Sequence, residues 1–93
     1  MFADQKFELG QIVDTPPCLA ALEAAGTNAL VFVQRHVSGD WGELCAEDVA
    51  ENKLSIKEGF RILSAYTLKT GVKIWVVTER DRSSTCVLLP EDY

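Results

Sequence analysis

The chain has one histidine, His36, and it stands in the densest polar and turn-forming stretch, Arg35-His36-Val37-Ser38-Gly39-Asp40-Trp41-Gly42-Glu43. Further along lie Arg61, Tyr66, Arg80 and Arg82. Metal-independent RNA cleavage needs a general base, a general acid and a cation for the charge that develops on phosphate. His36 with Arg61, Tyr66 and Arg80 or Arg82 could supply that set, as a small ribonuclease or toxin-like enzyme. A structural role competes with this and leads. In it His36 and Asp40 bind each other or nearby backbone, while Trp41 pins the loop to the core. Gly39 and Gly42 bracket Asp40-Trp41, so at least one of them is expected at positive φ, with the indole buried beneath the turn. A third role is recognition by Arg35, His36, Asp40 and Trp41 as a binding site.

Other chemistries lack their residues. One histidine and the scattered Cys18, Cys45 and Cys86 make no zinc pattern, and neither an Asp-rich calcium loop nor a Walker sequence occurs. No metal or cofactor is expected. The hydroxyls of Ser83-Ser84-Thr85 read as strand-edge groups, and Cys86 as a small buried hydrophobe. An odd number of widely spaced cysteines fits reduced thiols in the cytoplasm better than a disulfide framework. No apolar run is long enough to span a membrane, and the N-terminus lacks a signal-peptide layout. Residues 1–59 hold ten acidic against four basic side chains, and residues 60–93 four against five. That balance disfavours nucleic acid as a partner, which calls for a basic footprint.

The elements that must position these groups read as follows. Phe7–Val13 is expected as a strand with Phe7, Leu9 and Val13 on one face, weakened at Gly10. Thr15-Pro16-Pro17 starts a helix that Gly26 ends, with Thr15 able to cap it. Thr27-Asn28 offers a second cap before a helix through Leu30, Val33 and Val37. Ala46 to Glu58 is a third helix, acidic in its first turn and closed by Gly59. Three strands follow, Phe60–Leu68, Val72–Glu79 and Ser83–Leu89. The expected fold is a single α+β domain over residues 1–93, in the order β-α-α-α-β-β-β. The helices pack on one face of an antiparallel sheet whose last three strands form a meander.

Register can be read as well. A three-residue loop, Lys69-Thr70-Gly71, with Gly71 left-handed sets Leu68 opposite Val72, Tyr66 opposite Ile74, Ser64 opposite Val76 and Ile62 opposite Thr78. One face then carries Phe60, Ile62, Tyr66, Leu68, Val72, Ile74 and Val76. The other carries Leu63, Ala65, Trp75 and Val77, edged by Arg61 opposite Glu79. An antiparallel sheet with one wet face alternates apolar with polar, and this one does not. The patch of Leu63, Ala65, Trp75 and Val77 is therefore expected to be covered by a second copy, in a homodimer.

The strings Arg35-His-Val-Ser-Gly-Asp-Trp-Gly42, Arg61-Ile-Leu-Ser-Ala-Tyr66, Asp81-Arg-Ser83 and Leu88-Leu-Pro-Glu-Asp-Tyr93 carry a resemblance that spans Phe7 to Tyr93. The chain resembles a family of small uncharacterised bacterial proteins carried on plasmids and other mobile elements. The resemblance implies a binding or accessory role in such an element, with an unidentified protein partner, and implies no particular chemistry. Some members carry a restriction-modification label, but the glycine-rich cofactor loop of a methyltransferase is not found here.

Overall fold

The computed structural model describes residues 4–93. Its elements are β1 (Gln11–Asp14), α1 (Pro16–Ala24), α2 (Ala29–Val37), α3 (Ala46–Glu58), β2 (Ile62–Thr67), β3 (Lys73–Thr78) and β4 (Ser84–Leu88), followed by a 3-10 turn, Pro90–Asp92. The four strands form one sheet in the order β1-β4-β3-β2. The element order and the α+β class are as expected. The sheet is mixed rather than antiparallel, because β1 runs parallel to β4. Hairpin turns dictate antiparallel pairing for the last three strands. No short turn joins β1 to β4, so local sequence left their relative direction open.

The meander matches its expected register. Leu68 N–H donates to the Val72 carbonyl at 2.8 Å around Gly71, which has φ 92°. From there Tyr66 pairs with Ile74, Ser64 with Val76 and Ile62 with Thr78. The first face holds the core, where Ile62, Tyr66, Leu68, Ile74, Val76 and Val87 pack against Cys18 and Leu22 of α1 and Phe32, Val33 and Val37 of α2. Two details depart from expectation. Phe60 and Val72 lie beyond the strand ends and are exposed. In α2, Leu30 faces outward, and the buried stripe is Phe32, Val33, His36 and Val37. The cap offered by Thr27-Asn28 is as expected, supplied by Asn28, whose Oδ1 accepts from Val31 N–H.

The N-terminal strand is shorter than expected. At Gly10 φ is 64°, and a Cβ there would overlap the Ser83 carbonyl. The chain kinks at this point. Phe7 and Leu9 turn into the core ahead of the strand, while Val13 stays exposed, so the three do not share one face. Thr15 precedes α1 without capping it, and its hydroxyl donates to Asp92 instead.

Not all helices lie on one face, because α3 runs along the outer edge of β2. Asn52 reaches both backbone groups of Leu63: its Nδ2 donates to the carbonyl at 2.6 Å and its Oδ1 accepts from the N–H at 3.1 Å. The next outward pair, at Ala65, is met by the Trp41 carbonyl and the Glu43 N–H. An open strand edge is a template for another strand. Here a helix and a loop occupy it.

Candidate functional site

The structure divides the residues singled out by sequence into one buried chain of hydrogen bonds and two surface clusters. His36 belongs to the first. Its ring is wholly buried, with Nδ1 2.5 Å from Ser64 Oγ and Nε2 2.9 Å from Thr78 Oγ1. Thr78 Oγ1 lies 2.8 Å from Thr85 Oγ1, which donates to the Leu9 carbonyl at 2.8 Å.

These contacts dictate the protons. A carbonyl only accepts, so the single hydroxyl proton of Thr85 goes to Leu9. Thr78 must then donate to Thr85, and its free lone pair accepts from His36 Nε2–H. His36 Nδ1 accepts in turn from the Ser64 hydroxyl. Burial pushes the imidazole pKa down to about 3 from an ordinary 6.5, so the ring is neutral at pH 7. The chain ties α2 to three strands and to the segment before β1.

This placement corrects both expectations for His36. It does not bind Asp40, and neither Arg80 nor Arg82 is a partner of its ring. Both ring nitrogens are engaged by core hydroxyls, and the residue has no exposed surface. A general base must reach a substrate proton. The ribonuclease set therefore does not assemble, since its base faces the core, Arg82 is bound to backbone carbonyls, and Arg61 and Arg80 lie at the surface.

The second cluster is Arg35, Asp40 and Tyr66. Arg35 Nε donates to Asp40 Oδ2 at 2.7 Å, and its guanidinium lies over the Tyr66 ring, 4.5 Å from the centroid. The hydrogen bond from Arg35 holds the Asp40 carboxyl below its usual range. Tyr66 donates to the Asp40 carbonyl at 2.7 Å, and burial pushes its phenol up to about 12. Trp41 is buried, its Nε1 donating to the His36 carbonyl at 3.0 Å. Gly39 and Gly42 have φ of 96° and 73°. A cleft of about 300 Å³ opens among Arg35, Asp40, Gly42, Glu43, Tyr66 and Thr67. Its polar groups already pair among themselves, Thr67 with Glu43 and Arg35 with Asp40. Of the four expected recognition residues, His36 and Trp41 are core. Arg35 and Asp40 form a clamp on the loop.

The third cluster gathers Arg61, Arg80 and Arg82. Arg82 is structural: its guanidinium donates to the carbonyls of Ser55, Phe60, Glu79 and Arg80, at 2.7 to 3.2 Å. Arg61 pairs with Glu79 at 3.4 Å and donates to the Tyr93 hydroxyl. Arg80 is exposed.

The sequence reading missed Ser64, Thr78 and Thr85 as partners of the histidine. A signal was there, because the register sets Ser64 and Thr78 on the apolar face, where a hydroxyl needs a polar partner. Asn52 carried no such signal, since its role depends on where α3 docks.

Among the described residues no group of His, Cys, Asp and Glu could hold a metal ion, and Cys18, Cys45 and Cys86 are free. No single helix among them is long and apolar enough to cross a membrane. No family model, curated protein or solved structure matches the chain.

Proposed function

We propose that this chain acts by binding rather than catalysis, as a two-fold homodimer joined through the second face of its sheet. In this reading it works in the cytoplasm, as an accessory factor of a mobile genetic element with a further protein partner. The resemblance to plasmid-borne proteins is what supports the mobile element, and the free cysteines suit the compartment.

One observation carries the dimer, and it comes from strand register. The second face has an apolar row of Val13, Cys86, Val77 and Leu63, and beside it a row of Leu88, Trp75 and Ala65. A polar row of Gln11, Ser84, Glu79 and Arg61 frames one end of this band. Lys73 and Thr67 frame the other. Val77 and Leu88 are already buried within the protomer, whereas Leu63, Ala65, Trp75 and Cys86 are half-buried and Val13 is exposed. The C-terminal turn lies against this face, with the Tyr93 ring edge-on to Trp75 at 5.6 Å between centroids. Tyr93 is itself 61% exposed, and Leu63, Ala65, Trp75 and Cys86 keep part of their surface open beside it. An apolar patch rimmed by polar groups is the usual mark of a protein interface. With the β2 edge blocked by Asn52 and residues 41–43, a partner meets the sheet face-on. Self-association about a two-fold axis brings band against band.

Concentration-dependent NMR tests the interface. Amide and indole resonances of Leu63, Ala65 and Trp75 are expected to shift between about 5 μM and about 300 μM, a range over which a dimer with a Kd of a few micromolar goes from partly to almost fully associated. Leu30 and Val31, exposed on α2, are expected to stay fixed. Shifts confined to α2, with the sheet face unmoved, would contradict this interface.

A further inference from the structure

A cleft of about 320 Å³ lies between the exit of α3 and the β3–β4 turn, lined by Phe60, Arg61 and Arg80. Phe60 is 46% exposed. The Arg61 guanidinium lies over the Tyr93 ring, 5.7 Å from the centroid, and Glu79 balances its charge. The Arg80 side chain takes no hydrogen bond or ion pair among the described residues. Among the described residues the lining is thus one aromatic side chain and two arginines, and the Arg80 side chain has no partner there.

The frame around the cleft is held by hydrogen bonds. Phe60 N–H donates to the Ser55 carbonyl, and the Phe60 carbonyl accepts from Arg82. The same guanidinium binds the Arg80 carbonyl, so one side chain fixes the backbone on both sides of the opening. Arg82 holds this position at φ 59°, in the left-handed region that non-glycine residues enter at a cost. The frame presents to solvent a half-exposed aromatic ring and, among the described residues, an unpaired cation.

We propose that this cleft binds a free nucleoside monophosphate, with the base stacked on Phe60 and the phosphate held by Arg80 beside Arg61. Bases stack on aromatic side chains whatever their identity. The guanidinium fork matches phosphate oxygens and binds them by charge-assisted hydrogen bonds. The cleft is at the small end of ligand-site volumes, which suits one nucleotide. A polynucleotide is disfavoured by charge: α3, which leads into Phe60, carries Glu47, Asp48, Glu51 and Glu58, all exposed, against Lys53 and Lys57. The site shares Arg61 with the polar rim of the dimer band proposed above, while Phe60 and Arg80 lie outside that band.

Titration of the ¹⁵N-labelled protein with adenosine 5′-monophosphate tests this, with adenosine, inorganic phosphate and a short oligothymidylate as separate arms. The mononucleotide is expected to shift Phe60, Arg61 and the Arg80 side chain, and to bind more tightly than adenosine or phosphate alone. Arg80→Ala and Phe60→Ala remove exposed side chains, and unchanged thermal midpoints check that the fold is kept. Each is expected to weaken binding about tenfold or more. Three results would overturn the proposal. One is no shift at these residues at about 10 mM nucleotide, beyond the weakest affinities of interest. The second is equal affinity in Arg80→Ala. The third is an oligothymidylate that binds more tightly than the mononucleotide, which would make the site one for single-stranded nucleic acid.

Discussion

Lowering the pH from 6.5 to about 4.5 is expected to remove about 2 to 3 kcal/mol of folding free energy through His36 alone. The sign follows from burial. The folded-state pKa is lowered to about 3 from 6.5, so below pH 6.5 the unfolded chain takes up a proton that the folded chain refuses. Stability is complete above pH 6.5. It falls by about 1.4 kcal/mol for each further pH unit and levels off near pH 3. Asp40 and Asp81 have lowered pKa values and act in the same direction, but at lower pH, and Asp40 is too exposed to contribute much. For a domain of this size the loss corresponds to roughly 10 to 20 °C in thermal midpoint. His36→Gln separates the cause, since its amide can donate to Thr78 or accept from Ser64 and cannot titrate. Melting curves of the variant are expected to lose most of the slope between pH 6.5 and 4.5. A wild-type midpoint that stays level over that range would show that the imidazole is not held neutral in the core.

Gly42→Ala is expected to be among the most damaging single changes in the chain. The residue bridges to Ala65 at the edge of the sheet with φ 73°. A Cβ there would overlap the Ala65 carbonyl oxygen and lie 2.6 Å from Tyr66 Cδ1. Backbone cannot yield as a flexible side chain can, so the loop must leave the edge, taking the Trp41 and Glu43 hydrogen bonds with it. Left-handed strain together with the lost pairing is expected to cost roughly 3 kcal/mol or more in urea titrations. Gly71→Ala is the control. Its φ is 92°, but nothing lies within 4 Å of the added carbon, so only the conformational cost of about 1 kcal/mol remains. Equal losses at the two sites would mean that the edge pairing at residues 41–43 contributes nothing.

Local chemistry explains which parts of the molecule could be read from its sequence. The hairpin register followed from one glycine, because a three-residue loop leaves a single way to pair Leu68 with Val72. The third helix was legible from end to end, since acidic residues mark its first turn and Gly59 its exit. The direction of β1 was not, because its partner lies some seventy residues away and no turn relates them. The role of His36 was half legible. A lone histidine beside a glycine-bracketed tryptophan suggested a structural anchor, but its partners come from β2 and β3. Asp40 attracted attention as the nearest carboxylate and in fact belongs to Arg35, five residues back. The three arginines looked equivalent in sequence. The fold gives Arg82 four carbonyls and Arg61 a glutamate, and among the described residues it gives the Arg80 side chain no partner.

The apolar band on the second sheet face is the centre of the functional account, and molecular mass in solution tests it most directly. Static light scattering at tens of micromolar is expected to give the wild type about twice the chain mass of 10.3 kDa. Trp75→Lys is expected to give a single chain mass with an unchanged circular dichroism spectrum. A lysine at that half-buried position keeps its ammonium in water in the monomer, but would bury it unpaired in the dimer. A wild type of one chain mass at that concentration, or a Trp75→Lys variant that remains dimeric, would contradict the account.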